Sequence, residues 1–183
     1  MFNLDSDGVF ASWRKYVLTH HFQGMSIQEF HGMPELHRRA LVREMYLKDP
    51  DLFYKLDPIP EAAKILETVE SLGECWAILT SGSEDHFDHD RVVECKKLFF
   101  EKHFGVPGHK VIVTTNSAEK ATYADKGRLL VDDYGRNCRE WVLKNGTAIY
   151  TRTDEPDVDA ICRQLRTFAE NPFEYSGQIL CVQ

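Results

Sequence analysis

The chain has 183 residues, with 22 Lys or Arg against 29 Asp or Glu, so its formal net charge is −7. This length suits one domain of roughly 150 residues plus an insertion. The acidic balance argues against a long nucleic-acid partner, which needs clustered Lys and Arg. No apolar run approaches the ~20 residues that span a bilayer, and Met1–Leu4 lacks the features of a signal peptide. We therefore expect a cytoplasmic protein without a membrane partner.

The five cysteines indicate free thiols. Their number is odd and none forms a C-x-x-C pair, so neither a disulfide framework nor a zinc ribbon is indicated. Free thiols are typical of a cytosol-like compartment. Cys75 and Cys138 lie in apolar stretches, where we expect each to pack as a small hydrophobic residue.

The first part of the chain predicts a short strand followed by helices. The strand ends at Leu4, and apolar residues then recur near helical spacing over 9–22. Ser26-Ile27-Gln28-Glu29 has the form of a capping box, which marks a helix start. Pro34 and Pro50 are each predicted in the first turn of a further helix. The stretch to residue 58 is therefore predicted to be helical.

From Pro60 onward, stretches with the apolar spacing of helices alternate with short apolar runs of strand length. Helices are predicted over 60–72, 88–103, 136–144 and 158–170, and strands over 75–80, 111–113, 129–131 and 148–150. Such alternation predicts βαβ units and a mainly parallel sheet covered on both faces. The expected fold class is α/β, a Rossmann-like three-layer sandwich. Residues 1–13 plus 59–183 form its core, and 14–58 form a small inserted helical cap.

Polar residues follow several of the predicted strands at the point where each strand ends. Asp5 and Asp7 follow the first strand, Thr80–Ser81 close the next, and Asp132–Asp133 follow a later one. Lys120 precedes the last pair. Because ligands of parallel sheets bind beyond the carboxyl ends of the strands, we expect these side chains to meet at one site.

These motifs, Asp-x-Asp-Gly-Val, a strand-closing Thr, a Lys and an apolar run ending in Asp-Asp, resemble the four motifs of the haloacid dehalogenase superfamily of phosphotransferases. The resemblance covers nearly the whole chain. The helical cap and the segment 51–61 are similar to those of the 5'(3')-deoxyribonucleotidases. The resemblance implies a Mg²⁺-dependent phosphomonoesterase that forms an aspartyl-phosphate intermediate.

The resemblance also gives the motif residues their roles. Asp5 is the nucleophile, and Asp7 donates a proton to the leaving alkoxide and then takes one from the attacking water. Thr80 binds a phosphoryl oxygen, and Lys120 neutralises charge in the transition state. Lys126 is an alternative to Lys120 as the lysine of the motif, because the stretch 125–128 is slightly long for this family.

Two further residues are expected beside the phosphate. Gly8 permits a backbone turn that brings loop amides close to the phosphate oxygens. Ser81 is expected to contact the substrate next to Thr80.

Four carboxylates at one site need a cation. Two unit charges ~4 Å apart interact by ~4 kcal/mol at an effective dielectric near 20, and Mg²⁺ is commonly held by carboxylates together with substrate phosphate. We expect Asp5, the backbone carbonyl of Asp7 and Asp132 as ligands. Asp133 is expected to act through a water molecule or to support the ligands, and the sequence leaves open which of the pair binds directly.

The expected substrate is a small phosphorylated metabolite, with nucleoside monophosphates favoured. Phe53 and Tyr54 are the predicted base-stacking residues of the cap, and Phe22, Phe30 and Met33 are secondary candidates. Aromatic residues at such spacing also form a cap's own core. A sugar phosphate and a nucleic-acid 3'-phosphate end are alternative substrates. The remaining alternative is a catalytically idle module that binds nucleotides or a protein. The oligomeric state does not follow from the sequence.

Overall fold

The computed structural model describes residues 1–182 and is built around one sheet of six strands. The strands are β1 Phe2–Leu4, β2 Trp76–Ser81, β3 Val111–Thr114, β4 Leu129–Asp132, β5 Thr147–Tyr150 and β6 Ile179–Cys181. Their order across the sheet is β3-β2-β1-β4-β5-β6, and every pairing is parallel. The predicted α/β class is confirmed, with a wholly parallel sheet. The sequence did not predict β6, an edge strand of three residues in which Ile179 and Cys181 are exposed.

Helices connect the strands. Between β1 and β2 lie α1 Trp13–His20, α2 Ile27–Gly32, α3 Glu35–Lys48, α4 Leu52–Lys55 and α5 Ala63–Ser71. The later helices are α6 His89–Phe104, α7 Gly135–Val142 and α8 Val158–Glu170, with short 3₁₀ helices at Gly108–Lys110 and Ser117–Tyr123.

Helix ends follow the local signals in the sequence with exceptions at Pro50 and Pro60. Pro50 precedes Asp51, the N-cap of α4, and so lies outside the first turn in which it was predicted. The predicted capping box is confirmed, since the Glu29 amide donates to Ser26 Oγ at 3.2 Å and the Ser26 amide donates to Glu29 Oε2 at 2.7 Å. Gly105 ends α6 in the left-handed conformation, with φ 66°. Pro60 does not open α5. Glu61 has φ 64°, which no helix can include, so α5 starts two residues later, at Ala63.

The central strands β1, β2 and β4 are buried on both faces, and alternate residues divide between two layers. Leu4, Ile78 and Val131 pack on the side of α5, α6 and α8, whereas Leu79 and Leu130 pack against Cys138 and Trp141 of α7. This division explains why the strands are continuous apolar runs rather than alternating ones. It also produces the three-layer arrangement of helices, sheet and helices.

The segment with α1–α4 leaves and rejoins the sheet layer at one place. The Ser12 amide donates to the Asp57 carbonyl at 2.9 Å, and the Ile59 amide donates to the Phe10 carbonyl at 2.8 Å. These two bonds hold the exit and the return side by side. The division into a core and a cap spanning 14–58 stays a prediction.

All five cysteines are free thiols, and three of them are buried. Cys138 packs in the core as expected. Cys75 is exposed, contrary to expectation, because it lies one residue before β2 enters the core. Within residues 1–182, no helix is both long and apolar enough to cross a bilayer.

Because Leu165 of α8 is buried, we expect truncation of its side chain to destabilise the fold. Leu165 is 0% exposed, whereas Leu36 of α3 is 85% exposed. We expect Leu165→Ala to lower the free energy of unfolding by about 2–5 kcal/mol, because a buried leucine leaves a cavity. The same change at Leu36 should cost less than about 0.5 kcal/mol. Urea denaturation followed by circular dichroism measures both, and equal losses would contradict the assigned core.

Candidate active site

Neighbouring strand ends bring the predicted acidic residues together. β1 and β4 are adjacent, and the Asp5 amide donates to the Val131 carbonyl at 2.9 Å. As a result, Asp5, Asp132 and Asp133 each offer a carboxylate oxygen within 4.8 Å of the others. Asp5 and Asp132 are buried, and Asp133 is partly buried. The paired strand ends thus form a compact acidic cluster.

Lys120 supplies the positive charge of this cluster. From the 3₁₀ helix Ser117–Tyr123 its Nζ reaches Asp5 Oδ1 at 2.7 Å and Asp132 Oδ2 at 2.8 Å, and the residue is 1% exposed. Burial by itself lowers the pKa of Lys120, but the charges of Asp132 and Asp5 outweigh it, so the pKa lies above its ordinary value. Lys126 is exposed. The structure therefore brings Lys120, and not Lys126, to Asp5.

The two adjacent aspartates differ in what they contact. Asp132 accepts hydrogen bonds from Lys120, from Asn137 Nδ2 at 2.9 Å and from the Tyr134 amide at 2.8 Å, and it is fully buried. Asp133 lines the cavity described below. Burial and the charges of Asp5 and Asp132 raise the pKa of Asp133 well above its ordinary value. This geometry favours Asp133 as the direct metal ligand and Asp132 as the residue that orients Lys120.

The donor set fits a magnesium ion. Three carboxylates lie close together and the one ammonium pairs with only two of them, which leaves excess negative charge in a poorly solvated place. Hard dications with oxygen ligands suit such a site. Asp5 and Asp133 could hold the ion, with Asp132 behind them. The predicted contribution of the Asp7 carbonyl stays a prediction.

Gly8 is required by the close approach of Asp133. Its φ is 84°, and a Cβ placed on it would lie 2.2 Å from Asp133 Oδ2. Any larger residue would push Asp133 away from Asp5. In the same loop, the Ser6 amide donates to Asp5 Oδ1 at 2.8 Å and fixes the orientation of that carboxylate.

Lys96 is a site residue that the sequence analysis missed. From α6 its Nζ lies 2.7 Å from Asp7 Oδ2, 3.1 Å from Thr80 Oγ1 and 4.4 Å from the centroid of the Phe53 ring. The residue is 1% exposed. The sequence does indicate that Lys96 is buried, because it lies on the apolar face of α6. It follows Val92 by four residues and precedes Phe99 by three and Phe100 by four.

Thr80 and Ser81 face different surroundings because side chains alternate along a strand. The Thr80 hydroxyl accepts from Lys96, and Thr80 is 1% exposed. Ser81 lines the cavity. The contact of Thr80 with a phosphoryl oxygen stays a prediction. Ser81 is one of the hydroxyl-bearing residues that line the cavity, together with Ser117, Tyr134 and Thr153.

A cavity of about 260 Å³ opens above the acidic cluster. Its floor includes Asp5, Asp7, Gly8 and Asp133. Its opposite wall comes from α1 and α2 and is mainly apolar, with Trp13, Val17, Leu18, Ile27 and Phe30. A ligand with a phosphate at one end and a flat apolar part at the other matches this division.

The two aromatic residues predicted to contact a base lie elsewhere. Phe53 is 2% exposed and its ring stacks on Tyr46, with 5.7 Å between the centroids. Tyr54 lies under Lys102 Nζ, 4.9 Å from its ring centroid. The structure does not bring either one to the cavity wall, because α4 packs against α6. Phe53 instead packs in the main hydrophobic cluster. Trp13, Phe30 and Tyr134 are the aromatic residues that line the cavity, and the first two lie on the wall from α1 and α2.

Comparison with known proteins supports the architecture. No protein-family model and no curated protein matches the chain. A haloacid dehalogenase-like hydrolase from Streptococcus pneumoniae superposes with a TM-score of 0.55 at 10% identity, over 100% of this chain and 93% of that one. A haloacid dehalogenase-like hydrolase from Burkholderia xenovorans gives 0.52 at 13% identity, over 98% and 90%. The chain has a haloacid dehalogenase-like fold. At these identities the likeness concerns the fold alone.

In this haloacid dehalogenase-like fold, Lys96 is expected to matter for stability. Lys96→Met should lower the free energy of unfolding by about 1–3 kcal/mol, because the Asp7 side chain, which is only 30% exposed, loses its counter-ion. Lys97→Met, one position along the same helix, is the matched control and should cost less than about 0.5 kcal/mol. Urea denaturation measures both. Equal stabilities of the two variants would contradict the buried ion pair.

Magnesium binding can be measured without any substrate. Mg²⁺ at about 100 times its Kd should raise the Tm by about 5–10 °C, because it binds the folded state and relieves carboxylate repulsion. Asp133→Asn should abolish most of this shift, whereas exposed Asp125→Asn should retain it. Differential scanning calorimetry with and without chelator gives the values. An equal shift in the Asp133 variant would contradict the assigned ligand.

Proposed function

We propose that this protein is a Mg²⁺-dependent phosphomonoesterase that works through an aspartyl-phosphate intermediate. The observation that supports this most directly is the environment of the Asp5 carboxylate. Oδ1 is held by the Ser6 amide at 2.8 Å and by Lys120 Nζ at 2.7 Å. Both contacts use the same oxygen, so Oδ2 is available to attack phosphorus.

In the first half of the proposed reaction, Asp5 Oδ2 forms a bond to phosphorus while the bond from phosphorus to the leaving oxygen breaks. The leaving alkoxide takes a proton from Asp7. Asp7 Oδ1 is buried without a hydrogen-bond partner among residues 1–182, so this atom is free to carry that proton. Lys96 holds the other oxygen of the same carboxylate.

In the second half, Asp7 takes a proton from water as the water oxygen attacks phosphorus, which releases phosphate and restores Asp5. Lys120 and Ser81 are the side chains placed to stabilise charge on the phosphoryl oxygens. When bound, Mg²⁺ supplies positive charge that offsets the repulsion between the phosphate and the carboxylates.

We further propose nucleoside monophosphates as the substrate class. Trp13 and Phe30 offer aromatic faces on the cavity wall, and stacking of one base on such a face is worth ~1–3 kcal/mol. Five of the seven side chains that α1 and α2 contribute to the cavity wall are apolar, which suits a base better than a sugar. A cavity of about 260 Å³ in a chain of charge −7 also suits a small ligand better than a nucleic-acid end.

Asp5→Asn tests the covalent mechanism. Hydrolysis of nucleoside monophosphates should fall by about a thousandfold or more, because the nucleophile is lost. Folding should be kept, since the change removes one of three crowded carboxylates. Asp90→Asn at the exposed start of α6 is the control. Mass spectrometry of acid-quenched wild-type protein should find a phosphoryl group on Asp5.

The substrate class is tested by comparing kcat/KM for nucleoside monophosphates, sugar phosphates and p-nitrophenyl phosphate. Equal turnover of sugar phosphates and nucleotides would remove the nucleotidase assignment but keep the phosphatase. Turnover that Asp5→Asn leaves unchanged would discard the covalent mechanism itself.

A further inference from the structure

Arg14 is a cation of the cavity to which the proposed mechanism gives no role. It is the second residue of α1, it lines the cavity, and it is only partly exposed. Its guanidinium has no hydrogen-bond or ion-pair partner among residues 1–182. Arg39 and Arg136, by contrast, each lie within 3.0 Å of a carboxylate. Arg139, Arg152 and Arg163 also lack a side-chain partner among residues 1–182, but all three are exposed and none of them lines the cavity.

The surroundings of Arg14 on the cap side are basic. His31 of α2 lines the same cavity, and Arg38 Nη1 donates to the His31 carbonyl at 3.4 Å. Burial, followed by the charges of Arg14 and Arg38, lowers the pKa of His31. Asp154, whose Oδ2 accepts from the Lys15 amide at 2.9 Å, is an acid of the same neighbourhood. The basic side of the cavity faces the acidic floor that Asp5, Asp7 and Asp133 line.

We propose that Arg14 binds a second anionic group, a phosphate or a carboxylate, carried by the leaving group of the substrate. This inference rests on the phosphomonoesterase function proposed above, and it shifts the favoured substrates from plain nucleoside monophosphates to phosphomonoesters whose leaving group carries a second anion. The transferred phosphate belongs beside Asp5 and Lys120, at the edge of the sheet. The apolar wall takes the body of the leaving group, and Arg14 meets its charged substituent.

Two physical arguments favour an anion over a neutral substituent. A guanidinium presents paired donors whose geometry matches the oxygens of phosphate and carboxylate. A neutral leaving group that closes the cavity would remove water from Arg14 without giving it a partner, which is unfavourable. The cavity is therefore expected to select ligands with two anionic groups.

The test uses two matched pairs of compounds that differ by one anionic group. Phenyl phosphate is compared with 4-carboxyphenyl phosphate, and a nucleoside 5'-monophosphate with the 3',5'-bisphosphate of the same nucleoside. Wild-type kcat/KM should be about tenfold or more higher for the member with the second anion in at least one pair. The pair that shows the preference identifies the group as carboxylate or phosphate.

Arg14→Gln should reduce that ratio to about one, mainly through KM, because the contact is present in both the ground and the transition state. Arg38→Gln is the control. It removes the same charge from a partly exposed arginine that does not line the cavity, and it should keep the ratio.

Binding to the Asp5→Asn protein, with and without Arg14→Gln, gives a second readout by calorimetry. If the affinity ratio depends on Arg14 but the wild type hydrolyses none of the compounds, this inference stands and the proposed function fails. If hydrolysis depends on Asp5 but the ratio is near one, the function stands and this inference is overturned. A uniform loss for all four compounds in Arg14→Gln, with lowered stability, would show instead that Arg14 pairs with Asp154, and it would also overturn the inference.

Discussion

The ammonium of Lys120 lies between the carboxylates of Asp5 and Asp132, at 2.7 and 2.8 Å, and joins the ends of two neighbouring strands. All three groups are buried. Moving such charges out of water costs several kcal/mol each, and close pairing with additional hydrogen bonds offsets that cost. Asn137 and the Tyr134 amide supply those additional bonds to Asp132. The position of Asp5, and with it the proposed chemistry, depends on this contact.

A second buried lysine holds the same loop from another direction. Lys96 of α6 pairs with Asp7, as Lys120 pairs with Asp5, so two helical segments from different parts of the chain fix the two aspartates of one short loop. A reactive carboxylate held by its surroundings before the substrate arrives needs little reorganisation during the reaction. Asp133 has no comparable cationic partner within residues 1–182. It is the carboxylate that a divalent ion would stabilise most.

The cap helices complete the cavity with the opposite chemical character. Its floor is acidic, whereas Trp13 and Phe30 make the wall from α1 and α2 largely apolar, and Arg14 adds one positive charge to that wall. Because α1 begins soon after Asp7, the loop that carries the reactive carboxylates leads directly into the wall that would recognise the leaving group. Chemistry and recognition are thus connected through about ten residues of backbone.

The sequence by itself determined the elements and the location of the site. The capping box at Ser26, the strand that ends in Asp132 and the alternation of helices and strands are local patterns, and the carboxyl ends of parallel strands meet at one edge whatever the details. The predicted cluster of Asp5, Lys120, Asp132 and Asp133 followed from that rule. Backbone topology brings its members together, and the local periodicity of apolar residues predicts that topology well.

Only the tertiary structure decided which side chains face one another. Lys96 and Asp7 are 89 positions apart, and nothing local to either residue indicates the other. Trp13 and Phe30, and not Phe53 or Tyr54, line the cavity because α4 packs against α6. Asp132 already accepts three hydrogen bonds, whereas Asp133 lines the cavity, which makes Asp133 the candidate metal ligand. The exposed edge strand β6 was missed for a related reason, since three residues are too few to establish a pattern. Side-chain direction is set by packing between distant segments, so it could be known only after the chain had folded.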